Sequence, residues 1–367
     1  MKSIPFFDYP RAYLDDRDNL LKIIDDVSSR GAFILQKEKL DFENNLAKFC
    51  NTSKSIGVAN ATDALELAWL SIDLKAGDEI ICSSHTMLAT ASAIITAGGI
   101  PVPVDIGNDG LIDPDAIEDA ITERTVGIMP TQLNGRTCDM DRICKIASSK
   151  GFVLIEDAAQ ALGSRFKKQF AGTFGYASAI SFYPAKVLGC FGDGGAILVN
   201  EENSYEKLYQ LHDHGRAFDG EVKLWGRNSR LDNLQAAILD YGLKKHDDVI
   251  KRRRFIASIY NQRLQELDEL NLPPGPSDGD HFDIFQNYEL CAQNRDKLKT
   301  YLKKEGIGTL VQWGGKGIHQ IKELGFNQNL PRTDDFFSKC IMLPMNTFIT
   351  DEDVHYISDK IINFYRR

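Results

Sequence analysis

Lys186 is the residue with most to offer chemically. It lies between two apolar runs, residues 179–183 and 196–199, and Gly189, Gly192, Gly194 and Gly195 follow it. A buried strand delivers its end into a cleft, and lysine is rarely buried without a task. Glycines let backbone come close to a bound group. In a dry cleft a lysine amine is less easily protonated and becomes a nucleophile for carbonyls. A second candidate, Asp157, ends the apolar run of Ile155-Glu156-Asp157-Ala158-Ala159-Gln160. A third is the start of a helix, Asn60-Ala61-Thr62-Asp63, after the strand-like residues 55–59. Such a start exposes backbone N–H groups and a positive dipole end, which is an anion site. Ser181 adds a hydroxyl on the strand before Lys186.

Each feature alone has a plain reading: a loop lysine, a strand-end cap, an ordinary helix cap, a buried strand hydroxyl. Together they match the needs of one cofactor. Pyridoxal phosphate requires an amine for its aldehyde, an acid beside its ring nitrogen and an anion cradle for its phosphate.

The elements that must position these groups alternate. Strands are expected at 79–82, 102–105, 126–130 and 152–157, with helices at 88–97, 113–121 and 140–149 between them. That alternation implies βαβ units and a largely parallel sheet, with ligands beyond the carboxyl ends of its strands. The closely spaced strands at 179–183 and 196–199 are where the parallel pattern is expected to break. Residues 1–35 read as irregular, with Ile4-Pro5-Phe6-Phe7 packing as an arm. Residues 37–50 read as an amphipathic helix with Leu40, Leu46, Phe49 and Cys50 on one face. Residues 230–270 read as helical, and Lys251-Arg252-Arg253-Arg254 as a solvated helix face. After the Pro/Gly-rich segment 272–279 come a strand (282–291), a helix (295–305), a loop around Gln312-Trp313 and a closing helix (351–365). The domains divide as 1–245, with the N-terminal arm, and 246–367, a smaller α+β unit.

Composition narrows the function classes. The 367 residues carry a net charge of −9 and no dominant basic patch, which argues against nucleic acid. Seven dispersed cysteines without a CxxC pair point to a reduced, cytoplasmic protein. No metal-ligand spacing occurs, so no metal is expected. The uncharged stretch 87–104 approaches membrane-span length, but Gly98, Gly99, Pro101 and Pro103 break it, so no membrane partner is expected. The N-terminus lacks the apolar core of a signal peptide.

The segment Glu156-Asp157-Ala158-Ala159-Gln160, then Ser181-Phe182-Tyr183-Pro184-Ala185-Lys186, then Gly192-Asp193-Gly194-Gly195 resembles the DegT/DnrJ/StrS family. These are pyridoxal-phosphate-dependent nucleotide-sugar aminotransferases. The resemblance also rests on Asn60–Leu67, Ala76–Ile80, His214-Gly215-Arg216, Asn228–Asp232 and Leu343-Pro344-Met345. It implies an aspartate aminotransferase-like fold (pyridoxal-phosphate fold type I) with a mostly parallel seven-stranded sheet. It implies that Lys186 bonds the cofactor aldehyde and shuttles a proton, and that Asp157 pairs with the ring nitrogen. Gln160 would bond the ring hydroxyl; Ala61, Thr62 and Ser181 would hold the phosphate. Asn228 would reach the site of a neighbouring subunit in a homodimer. L-glutamate would be the amino donor and a nucleotide-linked keto-sugar the acceptor, with a lean towards a 3-keto sugar. A 4-keto sugar, a smaller phosphorylated ketone and a non-catalytic regulator are the alternatives.

Three positions depart from the family pattern. Met87 stands where an aromatic ring is usual, with His85 as the alternative stacking group. Arg227 replaces a tyrosine. Gln312-Trp313 replaces a histidine-tyrosine pair. Arg227, Arg230 and Trp313 are the candidate substrate contacts.

Overall fold

Short runs of Ile, Val and Ala set between capped helices build one seven-stranded sheet. The computed structural model describes residues 2–366. The strands are β1 (Lys54–Val58), β2 (Glu79–Ser83), β3 (Ile100–Val104), β4 (Thr125–Met129), β5 (Val153–Asp157), β6 (Ala177–Ser181) and β7 (Gly195–Val199). Their spatial order is β1-β7-β6-β5-β4-β2-β3. The pairs β2–β3, β2–β4, β4–β5 and β5–β6 are parallel. β7 runs against both neighbours, β6 and β1, and breaks the pattern where the sequence places the break.

Both faces of the sheet are covered, as parallel strands require. Ile80 and Cys82 of β2 pack with α3 (Ala61–Leu70), α4 (Leu88–Thr96) and α7 (Glu202–His212), and Ile81 packs on the other face with α5 (Pro114–Asp119) and α6 (Met140–Lys150). On that other face Ile180 and Leu198 meet Phe42 and Leu46 of α2 (Lys37–Cys50) and Leu239 of α8 (Asn233–Leu243).

A second core gathers Tyr260 and Leu264 of α9 (His246–Leu264) with Leu298, Ile357 and Ile361. Its sheet has three strands, β8 (Leu270–Asn271), β9 (Tyr288–Ala292) and β10 (Cys340–Leu343), with β9 central and both pairs antiparallel. Around it lie α10 (Arg295–Lys304), α11 (Pro331–Lys339) and α12 (Asp351–Tyr365). This is the smaller α+β part expected towards the C-terminus. Ile4 of the arm is 3% exposed and belongs to this core, bridged to Ile307.

Four readings need correction. Residues 1–35 are not irregular: α1 (Tyr9–Ser29) is a long helix capped by Asp8. It buries only Leu20 and Val27, so its apolar periodicity is faint. On α2 the inward face is Phe42, Leu46 and Cys50, while Leu40, two positions before Phe42, turns outward at 57% exposure. The strand read at 282–291 is interrupted between His281–Phe282 and β9, where Phe285 has φ of 53°. The cationic run on α9 is not a solvated face. Arg252 pairs with Asp351, Arg254 with Asp278, and Arg253 reaches the carbonyls of Phe285 and Gln286. Burial pulls the Arg253 pKa down to about 10.

Candidate active site

The parallel strands end along one edge, and a cavity of about 370 Å³ lies beyond them. That size suits a small-molecule site. Asp157 is the last residue of β5 and Ser181 the last of β6. Thr86 and Met87 follow β2, Thr131 follows β4, and α3 begins just beyond β1; all of these elements line the cavity. Lys186 enters it from the loop after β6, where its own N–H bonds Tyr183 O at 2.8 Å.

One end suits an anion. The Asn60 side chain accepts from Asp63 N (2.8 Å), and its carbonyl accepts from Ala64 N (3.1 Å). The first two amides of α3, Ala61 and Thr62, have no carbonyl one turn earlier to bond and line the cavity, with Ser181 nearby. Gly195 makes this possible: a Cβ there would lie 2.5 Å from Asn60 C and 2.7 Å from Ala61 N. Only glycine lets β7 press against the helix start.

The other end suits a cation. Asp157 is 4% exposed; its Oδ2 accepts from Thr90 Oγ1 (2.7 Å) and its Oδ1 from Ala159 N (3.2 Å). Thr90 belongs to a chain of hydroxyls through Thr86 (2.7 Å) to Thr131 (2.8 Å). Burial raises the Asp157 pKa, opposed by Thr90, the Ala159 amide and the charge of Lys186. A protonated ring nitrogen is the partner such a carboxylate lacks. Burial also lowers the Lys186 pKa to about 8, with Asp157 opposing, so roughly a tenth of its amine is unprotonated at neutral pH, far more than for an ordinary lysine.

The remaining candidates divide. Gln160 lines the cavity and its Oε1 accepts from Asn134 N (2.9 Å). Met87 lines the cavity and is 54% exposed. His85 is 1% exposed and faces a different neighbourhood, with Nδ1 donating to Gly110 O (2.8 Å) and Nε2 3.4 Å from Glu289 Oε2. Trp313 lines the cavity with φ of 46°, and Gln312 turns inward to Asn134 and Glu289 (both 2.9 Å). Asn228, Arg227 and Arg230 are not among the cavity-lining residues. Asn228 bridges Asp213, Arg227 pairs with Glu66, and Arg230 Nη1 meets Asp213 Oδ1 at 3.1 Å. Among the described residues no group of His, Cys, Asp and Glu is placed to hold a metal.

Sequence reading passed over Thr90, Asn134, Asn287 and Glu289. The four-residue spacing of Thr86 and Thr90 across the start of α4 was the one local signal.

The slot fits pyridoxal phosphate: free amides and hydroxyls at one end, a buried carboxylate oriented by Thr90 and Ala159 at the other, and an amine between. Comparison with known proteins agrees. The profile of the DegT/DnrJ/EryC1/StrS aminotransferase family matches residues 15–362. The chain is 34% identical over 370 residues to the pleiotropic regulatory protein of Geobacillus stearothermophilus, covering 99% of each. It is 33% identical over 371 residues to the dTDP-3-amino-3,4,6-trideoxy-alpha-D-glucose transaminase of Streptomyces venezuelae, covering 99% of this chain and 97% of that one. The crystal structure of S. venezuelae DesV in complex with a ketimine intermediate superposes with a TM-score of 0.95 at 33% identity, covering 100% of both chains. The architecture is the aspartate aminotransferase-like fold type I. The chain belongs to the DegT/DnrJ/EryC1/StrS aminotransferase family and is a pyridoxal-phosphate-dependent sugar aminotransferase.

Proposed function

We propose that this enzyme moves the amino group of L-glutamate to the keto group of a nucleoside-diphosphate-linked deoxysugar, with C3 the favoured position. The observation that carries the reading is the Lys186–Asp157 slot with its anion cradle at the start of α3. Bound pyridoxal phosphate supplies the carbonyl that accepts the amino group and the ring that accepts electron density. Lys186 holds the cofactor at rest and then moves a proton at the reacting carbon. Its amine, with a pKa near 8, is suited to both tasks. Asp157 keeps the ring nitrogen protonated, oriented by Thr90. Ala61, Thr62 and Ser181 hold the phosphate, and Gln160 holds the ring oxygen. Met87 and Trp313 line the same cavity, where Met87 would pack on the cofactor ring and Trp313 would meet the substrate. The lean to C3 draws on the related S. venezuelae enzyme, which is named for a 3-amino product.

The enzyme acts as a homodimer in this reading. Among the described residues the slot is lined by Lys186 and no arginine, so the anionic groups of donor and acceptor need cations from elsewhere. The loop before Asn228 exposes Phe218 (59%), Val222 (66%) and Trp225 (98%), an apolar surface that a second copy would cover. Asn228, Arg227 and Arg230 on that loop would then complete the partner's site. Seven free cysteines, most of them buried, support a cytoplasmic location. Among the described residues no helix is long and apolar enough to cross a membrane.

The test is a screen of nucleotide-linked 3-keto and 4-keto sugars with glutamate as donor. Turnover of a 3-keto sugar at least tenfold above its 4-keto isomer is expected. The reverse preference overturns the C3 assignment. Turnover of a small phosphorylated ketone alone overturns the nucleotide-sugar reading.

A further inference from the structure

Between the interrupted strand and β9, two consecutive residues reach out of the C-terminal part and hold the slot from behind. Gln286 is 6% exposed and Asn287 8%. Gln286 Nε2 donates to Ala185 O (2.9 Å) and its Oε1 accepts from Val187 N (2.9 Å). One side-chain amide thus brackets the peptide units on both sides of Lys186. Asn287 Nδ2 donates to Gln160 Oε1 (3.3 Å) and to Asn134 Oδ1 (2.8 Å). The Asn134 N–H bonds the same Gln160 oxygen. Both contacts fall on the carbonyl oxygen of Gln160, so its amino group is the part left to face the cavity.

The bracket is itself fixed. Arg253 donates to the carbonyls of Phe285 (3.1 Å) and Gln286 (3.0 Å). A Cβ on Gly135 would lie 2.6 Å from Gln286 N and 2.8 Å from Phe285 N, so this segment rests directly on backbone. Phe285 adopts φ of 53°, an unfavourable region for a bulky residue. The surroundings hold that conformation, and it aims the two amides at the slot.

We propose that Gln286 and Asn287 are positioning residues through which the C-terminal part sets the catalytic groups. Gln286 fixes the backbone that presents Lys186, and Asn287 fixes Gln160 as a hydrogen-bond donor to the cofactor ring. The proposal rests on Lys186 and Gln160 acting on pyridoxal phosphate as assigned above. A donor facing the electron-rich ring oxygen stabilises its unprotonated form, whereas an acceptor there repels it.

The holoenzyme tests this with two readouts besides activity. Asn287→Asp sets a carboxylate oxygen against Gln160 Oε1 and turns the Gln160 amide over. The visible absorption band of the bound cofactor, titrated against pH, is expected to shift its midpoint by about one unit, the size of one charge-assisted hydrogen bond. Asn287→Ala leaves the Asn134 contact in place and shifts it less. Hydrogen exchange at the Val187 amide is expected to speed up about tenfold or more in Gln286→Ala. Gln286→Glu, which keeps the acceptor, retains the protection. Wild-type titration in both Asn287 variants, or wild-type exchange in Gln286→Ala, overturns the proposal. Gln160→Glu separates the two levels and serves if an Asn287 variant fails to fold. If Gln160→Glu leaves the band unmoved, the role assigned to Gln160 fails and the proposal falls with it. If it moves the band and a folded Asn287→Asp does not, the role stands and the clamp alone is wrong.

Discussion

In the lysine slot, Asp157 and Ser181 are the last residues of strands and Ala61 is the first residue of a helix. In the wall behind it, Asn134, Asn287, Glu289 and Gln312 are held mainly by one another's side chains. The slot is therefore specified by where regular elements stop. Its backbone geometry follows from β-pairing and helix capping, and its side chains inherit that geometry. The wall is specified by pairing between residues far apart in the chain, on a backbone that turns left-handed at Asn134, Phe285 and Trp313. The difference predicts how each region fails. Slot residues carry chemistry and little fold stability; wall residues carry stability and act on the chemistry indirectly.

The sharpest way to break this comparison is at its two centres. Lys186→Ala should lower amino transfer by about 10⁴-fold or more, because one group supplies both the covalent hold and the proton transfer. Lys186→Arg should not restore it, since an arginine stays protonated. Steady-state transfer with glutamate checks both, and melting should remain near wild type. Glu289→Ala should do the opposite. Glu289 Oε2 takes bonds from Asn134 Nδ2 (2.7 Å) and Gln312 Nε2 (2.9 Å), and the carboxylate is buried. Removing it takes the shared acceptor from the part-buried Asn134 amide and from one N–H of the buried Gln312 amide, which keeps its bond to Asn134 Oδ1, for a loss of about 1–3 kcal/mol. Denaturant midpoints measure that loss. A Glu289→Ala enzyme of wild-type stability would show the wall to be loosely held.

The same contrast explains what was legible in the sequence. Lys186, Asp157 and the Asn60 cap stood out because strand ends and caps leave local marks: apolar runs, a clustered set of glycines, an Asn before an Ala-rich helix. The sheet and its reversed strand were legible for the same reason. Thr90 carried only its four-residue spacing from Thr86, since its bond to Asp157 joins α4 to the end of β5, far apart in the chain. Arg253 looked solvated because neighbouring charges on one helix resemble a surface face; its burial depends on the loop at Phe285. Residues 282–291 looked like one strand because nothing local records the left-handed turn at Phe285. Long-range side-chain pairing has no period to read, and the wall consists of little else.

The smallest expected effect concerns the electrostatic cost of the slot. The ordinary lysine pKa is 10.5, and burial lowers that of Lys186 to about 8. Between those two pH values the unfolded chain holds a proton on this lysine that the folded chain does not. Stability contributed by this group therefore rises with pH across the window from about 8 to 10.5, and its cost is fully present below 8. Lys186→Met keeps similar packing and removes the titration. Without cofactor, the wild type should melt below Lys186→Met at pH 7, and the gap should narrow by pH 10. Because Lys186 retains some exposure to the cavity, the change should be only about 1–3 °C. Scanning calorimetry of the two proteins across that range measures it. A gap that stays constant with pH would mean the amine is as well solvated in the folded chain as in the unfolded one. The slot would then lack the dry environment that makes its lysine a nucleophile, and its distinction from the wall would have to rest on geometry alone.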